Sequence, residues 1–287
     1  CNMGAEAGVT TSIFPSDENT RAYLAAHDRS EAYVPLFADE GAVYDETFEL
    51  DLSTLVPKTA CPHSPGNIAD VSSLVGTRVD QVLIGSCTNS SYADMRKVAD
   101  ILAGRKIAPN VSFGVAPGSR EVLLMLAEDG SLGKLVASGA RILETACGFC
   151  IGNHQSPGTD EVSLRTSNRN FEGRSGTKSA QVYLVSPETA ALSALTGVFT
   201  DPLGDHGIEH PRVVNPEKFI VDDSMFIFPP EDGSSVKIVR GPNIGDPPAN
   251  VPLSDSLDGY VAIKVGDKIT TDHIMPAGAR LKYRSNI

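Results

Sequence analysis

Residues 79–119 read VDQVLIGSCTNSSYADMRKVADILAGRKIAPNVSFGVAPGS. An apolar run, Val79 to Ile84, stops at Gly85-Ser86-Cys87 and predicts a strand ending in a turn. Tyr92 to Leu102 places Met95, Val98, Ile101 and Leu102 on one helical face, and Val111 to Val115 again has the character of a strand. Ala116-Pro117-Gly118 then leads to Ser119, a fitting N-cap for a helix reaching Ala127. Strand, helix, strand, helix in this order predicts an α/β domain built on a mainly parallel sheet.

Working outward, Ala140 to Leu143, Val162 to Arg165 and Gln181 to Val185 add strands, and Pro187 to Leu195 a helix with proline at its start. Upstream, Glu18 to Ala26 predicts a helix, and the alternation of Phe48, Leu50 and Leu52 an acidic loop-and-strand region. The three prolines of Pro57 to Gly66 predict a connection, after which a new unit begins. Residues 201–256, rich in Pro, Gly and Asp, are expected to wrap the domain as a linker, and Tyr260 to Val265 to start a fresh strand. The chain opens on Cys1 and stops at Ile287 just after this new segment begins, so it reads as a piece of a longer polypeptide.

The 287 residues are 41% hydrophobic and 21% charged, enough for a sizeable core. With 24 Lys and Arg against 36 Asp and Glu, the net charge of −12 argues against a general binder of nucleic acid or anionic membrane. A few local arginines can still reverse the field inside a cleft. No run approaches the roughly 18 apolar residues of a membrane span. Five cysteines (Cys1, Cys61, Cys87, Cys147 and Cys150) are too sparse for a disulfide scaffold, which suggests a reducing, cytoplasmic setting.

Ligands of open α/β sheets gather at the carboxyl ends of strands, where Cys87 and the Cys147-Gly148-Phe149-Cys150 loop both fall. A CxxC alone fits a metal site or a redox pair, but a redox motif would open a helix, and Ile151-Gly152 and a loop follow here. Three thiolates from strand-end loops can bind a metal centre and leave one position open, as a catalytic centre requires. Cys61, in a Cys-Pro-His context, and Cys1 read as structural thiols, and His27, His154, His206 and His210 receive no role. Arg169 and Arg174 share a polar loop after a strand; two guanidinium forks suit a di- or tricarboxylate, and the same loop also fits an ordinary solvated surface.

Taken together, CNMGAE (1–6), IGSCTNS (84–90), APGSR (116–120), ACGFCIG (146–152), SNRNFEGRSG (167–176) and GDKITTDHIMPAG (266–278) resemble, in order, the motifs of the aconitase family of iron–sulfur hydro-lyases. The resemblance implies a three-layer α/β iron–sulfur domain, followed by a linker and the start of a swivelling domain. Residues 1–56 would end a second domain, 57–205 form the third, 206–256 the linker and 257–287 the opening of the swivel domain.

It implies that Cys87, Cys147 and Cys150 hold a [4Fe–4S] cluster, expected to be lost in air, whose fourth iron binds substrate. Asn2 and Glu6 would stand near that iron, Glu6 against the departing hydroxyl, with Asn168 close to the cluster. Arg169, Arg174 and, from the swivel domain, Arg284 would bind carboxylates, and Asp272 belongs to the TTDH turn.

The implied reaction is the isomerisation of citrate and isocitrate through cis-aconitate. Its serine base and first-domain residues would lie outside residues 1–287, so these residues alone are expected to be inactive. Two features depart from that reading: Phe149 stands where many relatives have proline, and KTACPHSPGN (58–67) resembles isopropylmalate dehydratase large subunits. The direct run into TTDHIMPAG favours a single-chain aconitase over the alternatives, 3-isopropylmalate dehydratase or homoaconitase. A non-enzymatic alternative is a zinc-stabilised or RNA-binding module, which the −12 charge disfavours in its RNA form.

Overall fold

The computed structural model describes residues 4, 8–242, 245, 249–267, 269 and 273. Its centre is a seven-stranded sheet: β1 (Lys58–Ala60), β2 (Ile68–Asp70), β3 (Gln81–Ile84), β4 (Ser112–Val115), β5 (Arg141–Ile142), β6 (Val162–Arg165) and β7 (Gln181–Leu184). The spatial order is β2-β1-β7-β6-β3-β4-β5. Strands β7, β6, β3, β4 and β5 run parallel, and the short β1–β2 pair adds antiparallel at the β7 edge. The chain builds outward from β3 through β4 to β5, then jumps back across β3 to lay down β6 and β7. The strand order therefore reverses between β3 and β6, and the loops leaving these two strands part around a natural binding crevice.

Five α-helices accompany the sheet: α1 (Glu18–Ala26), α2 (Tyr92–Leu102), α3 (Arg120–Glu128), α4 (Ser131–Ser138) and α5 (Pro187–Thr196). Local chemistry sets their ends. Ser91 and Asp94 form a reciprocal capping box at the start of α2. Ser119 caps α3, and Ser186 caps α5 ahead of Pro187. Gly197 ends α5 at φ 78°, a left-handed conformation that costs glycine little.

Alternation along the strands sorts side chains between two faces. Val82, Ile84, Phe113, Val115 and Leu164 point into the main core, where α2, α3, α4 and α5 cover them. Leu83 faces the other way, into a small cluster with Ala116 and Phe149 supplied by the segment after β5. One layer of helices, the sheet, and an opposing layer of loop thus make up the α/β domain.

The α1, α2 and β6 bounds are those the sequence predicts. Four stretches differ. Phe48 and Leu50 lie exposed in irregular chain, and a 3-10 turn capped by Asp51 occupies Leu52–Thr54. Within the expected connection 57–66, β1 forms a three-residue strand, too short for its period to show in sequence. Helix α4 is new: Gly130 and Gly139 bound it and Gly133 weakens its propensity, so burial of Leu135 against the core holds it instead. Tyr260 to Val265 is irregular and exposed, since no described strand lies beside it to take its backbone groups.

The described residues divide into two compact units, one ending at Val221 and the other beginning at Asp222. In the first, the segment after α5 returns to the core through Phe199 and Phe219, the latter donating its N–H to the carbonyl of Ala26. In the second, the described residues form irregular chain with local Asp–Ser turns, such as Ser224 N–H on Asp222 and Ser234 N–H on Asp232. Among the described residues no helix is long and apolar enough to cross a membrane.

Phe199 is fully buried and meets Tyr183 edge-on, ring centroids 5.2 Å apart. Phe199→Ala is expected to cost about 3–5 kcal/mol of stability, measured by the denaturant midpoint.

Candidate functional site

Three strand-end loops and the loop after β6 meet at the crevice. The backbone leaves β3 through Gly85 at φ 141°, where an added Cβ would come within 2.4 Å of the Ala116 carbonyl oxygen. Only glycine lets the loops after β3 and β4 touch in this way. The same two loops meet again where the Gly118 N–H donates to the Ser90 carbonyl at 3.0 Å. The third loop, after β5, carries Cys147 and Cys150 around a 3-10 turn, Phe149–Ile151. A pocket of about 130 Å³ opens between them, bordered by Ser86 and Cys87 of the first loop, Pro117 of the second, and Thr145 and Cys147 of the third.

Cys87 and Cys147 are exposed, and Cys150 is half-buried behind them. Burial pushes the Cys150 thiol up to about 11; the charges of Cys147 and Cys87 add to the rise, and a Ser86 hydrogen bond and Arg165 oppose it. The structure thus brings the three sequence-predicted thiols together as electrostatic neighbours. Among the described residues, no three His, Cys, Asp or Glu side chains converge closely enough to hold one metal ion.

Behind the turn lies a buried polar network. Arg165, wholly buried at the end of β6, donates through Nη1 to the Phe149 carbonyl and through Nε to Ser163 Oγ at 3.0 Å. Its Nη2 serves Gln81 Oε1 at 2.8 Å and the Gln155 carbonyl at 3.4 Å. Gln155 in turn donates to Ser112 Oγ at 2.8 Å, so β3, β4 and β6 all grip the cysteine loop. Phe149 is 1% exposed, and its ring centroid is 6.0 Å from the Arg165 guanidinium carbon.

The arginine-bearing loop, 166–176, is fastened on both sides. Thr166 Oγ1 accepts the Gly85 N–H at 2.8 Å and donates to the Gly85 carbonyl at 3.0 Å, and Asn89 Nδ2 donates to the Thr166 carbonyl. Asn170, fully buried, spreads its amide over the carbonyls of Ala60, Cys61 and Val182. At Gly152 an added Cβ would lie 2.3 Å from the Ser175 carbonyl oxygen, so the cysteine loop rests directly on the backbone of this one.

Asn168, Arg169 and Arg174 are therefore half-buried residues of a loop that touches both thiol-bearing loops. Asn2, Glu6, Asp272 and Arg284 lie outside the described residues. Burial raises the thiol of Cys61, which sits beside β1 as a structural cysteine.

The family model described as the aconitase family (aconitate hydratase) matches residues 1–197. The chain belongs to the aconitase family.

Among its relatives in that family, the 3-isopropylmalate dehydratase large subunit 2 of Archaeoglobus fulgidus is 43% identical over 202 residues, 70% of this chain and 49% of that protein. The 3-isopropylmalate dehydratase large subunit of Elusimicrobium minutum is 42% identical over 70% of this chain and 48% of its own length. The probable methanogen homoaconitase large subunit of Methanosarcina mazei is 42% identical over 70% of this chain and 51% of its own. The chain spans about half the length of the curated relatives it matches. These relatives bear the names of the sequence reading's alternatives rather than of its preferred citrate–isocitrate enzyme.

Members of the aconitase family generally bind a [4Fe–4S] cluster, and the donor set here fits one. Thiolates are the ligands such clusters use. Cys87 and Cys147 border the pocket and Cys150 stands on the same turn as Cys147, so these three thiols would hold such a cluster.

Arg165 was missed as part of the site in the sequence because a charged residue ending a short strand resembles a surface residue. The available signal is alternation: Ser163 and Arg165 share the face opposite Leu164. In cofactor-free protein at pH 8, iodoacetamide is expected to label exposed Cys87 and Cys147 well before Cys150. The raised Cys150 thiol remains protonated there and gains reactivity only as pH approaches 11. Peptide mass spectrometry over a pH series checks the order.

Proposed function

We propose that this chain forms the cluster-bearing part of an iron–sulfur hydro-lyase that removes and restores water on a small hydroxy acid of the isopropylmalate or homoaconitate type. The observation that carries this reading is a pocket at the sheet's crossover point bordered by Cys87 and Cys147, with half-buried Cys150 on the same turn as Cys147 and the Asn168–Arg174 loop fastened against that turn. Substrate class follows the relatives, which are named for isopropylmalate and homoaconitate chemistry.

Cys87, Cys147 and Cys150 would hold the cluster. When bound, it supplies a Lewis-acidic iron lacking a protein thiolate, which makes a hydroxyl a better leaving group. The chain's own residues do the rest. Arg169 and Arg174 clamp substrate carboxylates with bidentate donor pairs, which fixes the reacting carbons and stabilises the charge on the carboxylate beside the carbon that loses its proton. Asn168 orients a bound oxygen, Asn2 assists it, and Glu6 holds the proton exchanged at the departing hydroxyl. Arg284 adds a further carboxylate contact.

The base that takes the α-proton belongs to a swivel domain. The relatives are named as large subunits, which favours a separate small subunit as its source. Within this chain we assign 57–205 to the cluster domain, 1–56 to the end of the preceding one, 206–256 to the linker, and 257–287 to the start of swivel-like sequence. GDKITTDHIMPAG on the same chain supports the second reading, a single-chain enzyme acting on citrate.

Anaerobic reconstitution with iron and sulfide is expected to give broad visible absorption and about four irons per chain. Cys87→Ser, Cys147→Ser or Cys150→Ser should each lose most of it; bound zinc without sulfide would overturn the reading. With the complete enzyme and any small subunit, kcat/KM for 3-isopropylmalate or homoaconitate is expected to exceed that for citrate at least roughly tenfold, a difference of about 1.4 kcal/mol in transition-state binding. The reverse ranking would establish the citrate reading.

A further inference from the structure

The chemistry above leaves one buried cation without an explanation. Arg165 has 0% exposure and is no party to an ion pair among the described residues; its hydrogen-bond partners are a carbonyl of the cysteine turn, a hydroxyl, an amide oxygen and a second carbonyl. Neutral oxygens accept from all three of its nitrogens and leave its charge uncompensated. A guanidinium taken out of water at such a place is costly unless an anion comes to it.

The anion that the site is built to receive lies on the other side of the turn. Phe149, between the two cysteines, meets Arg165 through both its carbonyl and its ring. Three thiolates on an iron–sulfur core give a centre of net negative charge, and second-shell cations and hydrogen bonds set the potential of such centres.

We propose that Arg165 is a positioning residue and the standing counter-charge of the cysteine turn: it holds the backbone between Cys147 and Cys150 in ligating shape and offsets the negative charge of the centre they bind. This rests on the cluster reading given above. Its Nη1 donates to the carbonyl of Phe149, the residue directly before Cys150, and a guanidinium stays charged at neutral pH. A fixed positive charge at this point favours the more negative, reduced state of the centre, so Arg165 raises its reduction potential. The flat ring of Phe149, its centroid 6.0 Å from the guanidinium carbon, adds a π-face to this support.

The test compares anaerobically reconstituted wild-type protein with Arg165→Lys, Arg165→Gln and Arg165→Met. Iron and sulfide content, circular dichroism and dye-mediated reductive titration followed by electron paramagnetic resonance are the readouts. Gln and Met variants are expected to titrate at more negative potential than wild type, and Lys to stay near it. Loss of the cluster from folded Gln protein with retention in the Lys variant supports the same conclusion. If the Met variant fails to fold, the Gln and Lys pair decides. A folded Gln variant with full cluster content and the wild-type potential overturns the counter-charge, as does loss of the cluster from folded Lys and Gln variants alike. A wild-type protein that takes up no cluster overturns the cluster reading and this inference with it, an outcome distinct from the others.

Discussion

A single buried guanidinium organises the chemical side of this domain. Arg165 stands at the end of β6, beside the point where strand order reverses, and its donors reach the Phe149 carbonyl, the Gln155 carbonyl and the side chains of Ser163 and Gln81. Nothing else among the described residues joins the cysteine loop to the sheet through so many polar contacts. Because Nε, Nη1 and Nη2 all donate, the turn between Cys147 and Cys150 has little freedom to shift without leaving a buried polar group unsatisfied.

Around that anchor the site is made largely by backbone meeting backbone. Gly85 against Ala116 and Gly152 against Ser175 bring three loops to distances that a side chain would forbid. Thr166, accepting from and donating to the same glycine, ties the thiol loop of β3 to the arginine loop of β6. The cysteines then hang from a rigid frame, while Arg169 and Arg174 stand on a segment that the buried Asn170 secures from behind.

Much of this was legible in the residues and some was not, for physical reasons. Helices α1 and α2 and strand β6 announce themselves through caps and periodicity, and the parallel α/β class follows from their order. Helix α4 did not, because three glycines in or beside it conceal a segment held by tertiary packing of Leu135. The strand expected at Tyr260 to Val265 has the right alternation but no strand partner among the described residues, and alternation alone does not make a sheet. For the candidate site, motif order directed attention to the thiols and the arginine loop, which the fold places next to each other. The role of Arg165 was invisible until the three-dimensional arrangement showed which face of β6 it occupied. The preference for citrate relied on chain continuity, and the relatives' names point instead to the resemblance carried by residues 58–67.

The sheet keeps its two faces for different work. Helices α2 to α5 and most of the apolar core lie on one side, and the thiol turn with its polar support lies on the other. Evolutionary drift can therefore retune the thermal tolerance of this domain by repacking the helical side while the reactive side goes untouched. Inheritance of the two properties need not be coupled, which gives one architecture room to serve lineages living at very different temperatures.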